Sequence, residues 1–310
     1  MAARSSNAQR AWARRNPSNV RTAPRWTLYA LGVVAIVALP LLASQMGCSG
    51  APPLLAPTIE PPAGSGATSD ASTEPLSALA PANLAKARPA APFSVTGNWF
   101  IDVSENPNAW RFGPPYPPLK PAAKAHADAS QKAAAEGKVY RDDIGQCWPA
   151  GLPLIMTRYW PMAMIQIPTS IYMVSGFMNS LRIVYLDGRS HTEQDIVVRT
   201  YNGESIGRWE GDTLVVDTRH FRGDHHWMDQ GGMSIPAGEQ LRIIERMRLV
   251  SDGKQLEIEY TMTDPENWDG EWKSTKRFNR VDDVDIQEVS CLPDLNEHLQ
   301  STTSKTQVLQ

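Results

Sequence analysis

In the run Leu241, Ile243, Glu245, Met247, Leu249 every second residue is apolar except one. Alternation of this kind belongs to a β-strand with one buried face, so Glu245 is expected as a lone carboxylate among apolar side chains. The stretch that follows offers a matching face in Leu256, Ile258, Tyr260 and Met262, opposite a polar Gln255, Glu257 and Glu259. If the two apolar faces meet around an open chamber, the dry surroundings suit Glu245 to general acid/base catalysis. The competing reading is a buried ion pair with Arg208 or Lys276 on a nearby strand.

A second candidate is Asp187-Gly188-Arg189-Ser190-His191. Asp and Gly are what a tight turn requires. Arg189 and His191 are not needed by the turn and sit where side chains converge on a pocket mouth. His191 is the candidate second proton carrier, and the bland alternative is a solvated histidine beside a turn. Arg189, Tyr201, Arg208, Trp227 and Asp229 are candidates to orient a substrate. Trp227-Met228-Asp229 reads as a loop-borne lid, and Asp217, alternating with Val215, as an inward-facing acid.

Other chemistries are set aside. His220, Asp224, His225, His226 and Asp229 are residue types that ligate transition metals, but loops of this composition are commonly solvated. Met156, Met162, Met164, Met173 and Met178 interleave with Tyr159, Trp160, Ile165, Ile167 and Tyr172, a pattern of core or pocket lining. There is no Gly-x-Ser-x-Gly elbow, phosphate loop or dinucleotide fingerprint. Neither a metal nor a cofactor is expected.

The compartment is read from the first fifty residues. Arg4, Arg10, Arg14, Arg15, Arg21 and Arg25 all precede the first acidic residue, Glu60; without them the net charge of −3 becomes −9. An acidic body offers no footprint to a phosphate backbone, which excludes nucleic acid as a partner. After the arginines, the apolar run Leu28 to Ala43 spans ~24 Å as a helix, short of the roughly 30 Å hydrocarbon core. That is the pattern of a secretory signal. Gln45-Met46-Gly47-Cys48 resembles a lipobox with Gln where Leu is usual, making Cys48 a candidate lipidation site. Residues 49–93, rich in Pro, Ala, Ser and Gly, are expected to be a disordered linker. For an exported domain, Cys147 and Cys291 make a candidate disulfide closing ~145 residues, adding roughly 3–5 kcal/mol.

The remainder reads as strands. Val95–Val103 is a β-branched and aromatic opening strand, and Ala122–Glu136 an alanine-rich helix between Pro121 and Gly137. Leu181–Leu186, Ser205–Glu210, Thr213–Phe221, Leu241–Val250, Gln255–Asp264 and Glu271–Val281 are separated by Gly- or Asp-bearing turns, as in consecutive hairpins.

The block Asn202-Gly-Glu-Ser-Ile-Gly-Arg-Trp-Glu-Gly-Asp-Thr-Leu-Val-Val-Asp-Thr218 resembles the signature of a large family of exported bacterial proteins of no settled activity. The likeness extends to Cys147-x-Pro149-x-Gly151, Leu186-Asp187-Gly188-Arg189, Trp227-x-Asp229, Glu245-Arg246 and Asp264-Pro265, and covers about Pro114 to Cys291. This chain has Ala237 and Arg242 where that family often carries histidines, so no role resting on those histidines transfers. Gly97-x-Trp99 also resembles the opening of lipocalin-type barrels. The resemblance implies export and a domain extent, not a reaction.

These readings combine into a mainly β protein: an antiparallel meander closed as a barrel or folded as a sandwich, with one or two short helices. Its parts are a signal (1–48), the linker (49–93), a globular domain (94–293) and a flexible tail (294–310). It is expected on the periplasmic side of a bacterial membrane, tethered at its N-terminus, with a pocket for a small apolar or aromatic molecule. Cofactor-free acid/base chemistry at Glu245 and His191 is one expectation, and a non-catalytic binding or envelope scaffold the other.

Overall fold

The computed structural model describes residues 76–138, 140, 143–289 and 291. The signal, Cys48 and the residues beyond Cys291 lie outside them. Eleven strands follow in chain order: β1 (Gly97–Ile101), β2 (Met162–Ile167), β3 (Ser170–Ser175), β4 (Ser180–Tyr185), β5 (Glu204–Glu210), β6 (Thr213–Arg219), β7 (Trp227–Asp229), β8 (Ser234–Pro236), β9 (Arg242–Val250), β10 (Gln255–Thr263) and β11 (Trp272–Val281). The helices are α1 (Pro81–Leu84), α2 (Pro121–Ala135) and α3 (Leu154–Thr157).

Nine strands form a closed barrel in the order β1-β11-β10-β9-β6-β5-β4-β3-β2. β1 closes it by pairing antiparallel with both β11 and β2. The closing seam is locked by Arg280, whose guanidinium lies 4.4 Å over the Trp99 ring and donates to Thr96 O. A Cβ on Gly97 would lie 2.4 Å from that guanidinium, and its φ of +144° is one that side chains rarely adopt. β7 and β8 form a separate two-stranded ribbon.

The hairpins β5–β6, β9–β10 and β10–β11 are antiparallel, each strand within a few residues of its expected limits. β2–β3 is a further hairpin, which the methionine-rich stretch did not declare as strands. The meander is broken once. β4 and β5 pair parallel, Val184 opposite Ser205 and Tyr185 opposite Ile206. The Asp187-Gly188 turn therefore opens a crossover rather than a hairpin, as parallel neighbours require.

Alternate residues fill the lumen. Trp99, Met164, Met173, Val216, Met247, Ile258, Tyr260 and Phe278 are all buried in one core. Phe112 and Met156, from segments outside the strands, complete it: Phe112 meets Tyr260 edge-on at 5.2 Å. α2 turns Ala123, Ala127, Ser130 and Ala133 inward. Order also starts earlier than composition suggested. Ala78 and Asn83 are buried, the Ala78 carbonyl accepts from Thr169 Oγ1 at 2.7 Å, and Phe93 meets Trp209 edge-on. Cys147 and Cys291 form a disulfide with Cα atoms 5.7 Å apart. Among the described residues, no helix is long and apolar enough to cross a membrane.

Candidate functional site

β5 and β6 carry two sets of polar residues on opposite faces of the same wall. Inward, Ser205 and Thr218 face the lumen, where their hydroxyls lie 2.9 Å apart. There they meet Arg182 of β4, which donates from Nε to Ser205 Oγ (3.1 Å) and from a terminal nitrogen to Thr218 Oγ1 (3.0 Å). The same guanidinium makes a two-nitrogen ion pair with Glu245, both side chains fully buried. Met156 Sδ lies 3.0 Å from it. Glu245 thus has the buried position expected, but in a filled lumen. Its partner is Arg182, not Arg208, which binds Glu210, nor Lys276, which donates to the Ala109 and Arg111 carbonyls. A buried guanidinium with every strong donor engaged is a structural device.

Outward, the residues one step along are Glu204 and Asp217. Asp217 belongs to the outer face, not the inner one suggested by its alternation with Val215, because Leu214, Val216 and Thr218 take the lumen side. The crossover after β4 passes over these strands and brings down His191 and Thr192. His191 Nδ1 is 2.9 Å from Glu204 Oε2, and its Nε2 is 3.6 Å from Asp217 Oδ2. His220, just past β6 with φ +63°, places its Nε2 3.8 Å from Glu204 Oε2. The imidazoles meet edge-on with centroids 5.7 Å apart. The Nε2 atoms of both His191 and His220 are buried without a hydrogen-bond partner.

Each acid is held in place. Glu204 accepts from Thr192 N at 2.9 Å and Thr192 Oγ1 at 2.6 Å. Asp217 accepts from Arg219 and Arg242, the latter through two bonds of 2.9 Å. Burial works against the ionised Asp217, but the nearby His191 and the hydrogen bonds from Arg242 and Arg219 outweigh it and hold the pKa far below the usual range. Burial likewise opposes ionised Glu204, and the Thr192 and His191 bonds reverse it, so its pKa is lowered. For His191, burial disfavours the cation but Asp217 and Glu204 overcome it and raise the pKa. For His220, burial dominates and the charges of His191, Arg199 and Arg219 add to it, so the pKa is lowered despite Glu204. One imidazole therefore favours its proton and its neighbour resists one.

Beside this cluster a cleft of about 250 Å³ is lined by Ser190, His191, Ile206, Gly207, Arg208 and Asp217. Gly207 has no side chain because a Cβ there would lie 2.6 Å from Leu186 and 3.0 Å from Val184, across the parallel pair. A second cleft, about 160 Å³, lies against the disulfide and is lined by Cys147, Ala150, Met178 and Ser180 among others. Glu245 lines neither.

The structure brings together His191 and Arg208 of the expected residues and separates the rest. Arg189 is bound to Asp187 (2.6 Å) and lies 4.0 Å over the Tyr185 ring, pinning the turn. Tyr201 packs on His226, 6.0 Å between centroids. Trp227 is stacked on His126 at 4.3 Å and donates to Asp143, and Asp229 pairs with Arg158 at 3.2 Å. Both belong to the β7–β8 ribbon instead of a lid loop. Glu204 and His220 were not singled out for this role. The available signal was the start of β5, where Glu204 precedes an inward Ser205.

Compared with known protein families and with curated proteins, the chain matches no family model and no curated protein.

Proposed function

We propose that this is an exported, membrane-tethered barrel whose outer-wall cleft binds a small polar molecule and acts on it by acid/base or hydrolytic chemistry. The carrying observation is the convergence of two imidazoles and two carboxylates beside that cleft, with two buried imidazole nitrogens each facing a carboxylate but beyond hydrogen-bond distance. Unsatisfied buried polar groups are rare, and clustered ones mark functional sites. His191 and Asp217 border the cleft and are the groups that would meet a substrate. Arg208, exposed at its edge, would attract an anionic substituent. The charged groups that border it, His191, Arg208 and Asp217, favour such a ligand over the apolar or aromatic one expected from a hollow lumen. The basic, then apolar, N-terminal segment and the family resemblance support export, and Cys48 supports a lipid tether.

The second reading is a scaffold that binds without turnover. It is favoured by the tight hold of Arg219 and Arg242 on Asp217. The two separate in one experiment: purified full-length protein in detergent, disulfide intact, is screened against small esters, lactones and amides for binding and for turnover. The proposal expects turnover that His191→Gln lowers at least about 100-fold without a change in melting temperature, while His225→Ala leaves it intact. Binding without turnover supports the scaffold. Ligands that bind equally to wild type and to His191→Gln refute the site.

A further inference from the structure

The cluster under the crossover has the ligand set and spacing of a metal centre. We infer that His191, Glu204 and His220 hold a first-row divalent cation of the zinc class. The inference deepens the proposed function and rests on the same cleft, though binding of the ion can be tested without any substrate.

Four features carry it. One ligand atom from each residue lies within 4.8 Å of the other two. Two of the separations are 2.9 Å, from His191 Nδ1 to Glu204 Oε2, and 3.8 Å, from His220 Nε2 to the same oxygen. Tetrahedral ligand bonds of ~2.0–2.2 Å place neighbouring donors about 3.3–3.6 Å apart, so closure on an ion asks for a shift of about half an ångström or less at the His220–Glu204 edge and at most about 1.5 Å at the widest. Two imidazoles and a carboxylate suit zinc, iron and cobalt, and leave open positions for water or substrate.

His220 Nε2 is buried, faces the carboxylate and is too far from it for a hydrogen bond. A cation between them removes that defect. His191 supplies the outer partner expected of a ligating imidazole: with Nδ1 turned to Glu204, Nε2 faces Asp217 at 3.6 Å, and Asp217 is fixed by two arginines. Metal-bound histidines usually direct their second ring nitrogen to a carboxylate, and a small inward shift would close this contact to a hydrogen bond. Glu204 is in turn oriented by both donors of Thr192. Finally the charges match. Asp217 is offset by Arg219 and Arg242, which leaves Glu204 as the anion for the ion. A water on such an ion ionises near neutral pH, which would provide the hydrolytic form of the proposed chemistry.

The test uses full-length protein, stripped with chelator and titrated with Zn²⁺ by calorimetry and with Co²⁺ by visible absorption. One ion per chain is expected, with the strong d–d bands of a four- or five-coordinate site. His191→Ala, Glu204→Gln and His220→Ala should each weaken binding about 100-fold or more, and Asp217→Asn about 10-fold, while His225→Ala changes nothing. Circular dichroism of the stripped variants checks folding; if a variant does not fold, the wild-type Co²⁺ spectrum decides alone. Absence of binding, a weak octahedral Co²⁺ spectrum, or affinity that follows His225 overturns the inference. Stripped protein whose turnover persists and still falls with His191→Gln rejects the ion but keeps the proposed chemistry. Tight binding with no turnover of any screened substrate keeps the ion and rejects the chemistry.

Discussion

Replacing Glu245 with Gln leaves the fully buried Arg182 guanidinium charged without its counter-ion. In the native protein this cation is neutralised by a two-nitrogen ion pair and bonded to Ser205 and Thr218. Breaking a buried pair from one side costs about 3–5 kcal/mol, and Gln keeps one acceptor, so the lower end applies. For a domain of this size each kcal/mol moves the melting temperature by about 2–4 °C, so a fall of about 6–12 °C is expected. Removing both charges is a different perturbation. In Arg182→Met/Glu245→Leu the hydroxyls of Ser205 and Thr218 still satisfy each other across 2.9 Å. Met and Leu then fill the space among Met156, Met173 and Tyr260. The double variant should fall within about 1 kcal/mol of wild type or above it, and so be at least about 2 kcal/mol more stable than Glu245→Gln. Urea denaturation followed by tryptophan fluorescence reads all three proteins. A neutral Glu245→Gln, or a double variant as unstable as the single, would refute the ion-pair account.

Other consequences are independent of it. Reduction of Cys147–Cys291, or the double Ser variant, should cost roughly 3–5 kcal/mol in guanidinium unfolding; unchanged midpoints with and without reductant would reject a structural bridge. Gly97→Ala forces a Cβ toward Arg280 Nη1 in an unfavourable φ and should destabilise by about 1–3 kcal/mol, and a wild-type midpoint would contradict the seam described here. Burial lowers the pKa of His226 to about 4, against the bonds its ring makes to the Leu152 and Arg222 carbonyls. Because the unfolded chain takes up this proton near pH 6.5 and the folded one near 4, stability is complete above pH 6.5 and falls across that window by up to about 3 kcal/mol. His226→Gln should flatten the difference between pH 7 and pH 4.5 in denaturation midpoint, and an unaltered pH slope would exclude the assignment.

What could be read beforehand follows from physical signal strength. Strands β9 and β10 carry a clear apolar alternation, and β5, β6, β9, β10 and β11 are bounded by Gly- or Asp-bearing turns, so period and punctuation agree well enough to place them. β2 and β3 are joined through Pro168-Thr169 and built on methionine, which has weak strand preference, so the hairpin was read only as core material. The parallel β4–β5 pair was hidden because Asp187-Gly188 has the chemistry of a hairpin turn while serving to launch a crossover. Alternation identifies Glu245 as inward, but alternation cannot say whether a lumen is open, and Arg182 comes from β4, far from Glu245 in sequence and not its hairpin partner. The cluster at His191 was half legible. Its ligand atoms come from the crossover, the start of β5 and the end of β6, so no local spacing reveals them. The dense histidine run His220 to His226 pointed instead to a false grouping: His226 is bound to backbone carbonyls and His225 is stacked on Trp148 at 3.9 Å.

Two variants measured side by side on any substrate the full-length protein turns over test the central claim, that function resides on the outer wall and the lumen is structural. His191→Gln should abolish turnover while leaving the melting temperature unchanged, and Arg182→Met/Glu245→Leu should retain the wild-type rate. The opposite outcome, activity surviving at His191 and vanishing with the lumen pair in a folded protein, would return the chemistry to the barrel interior.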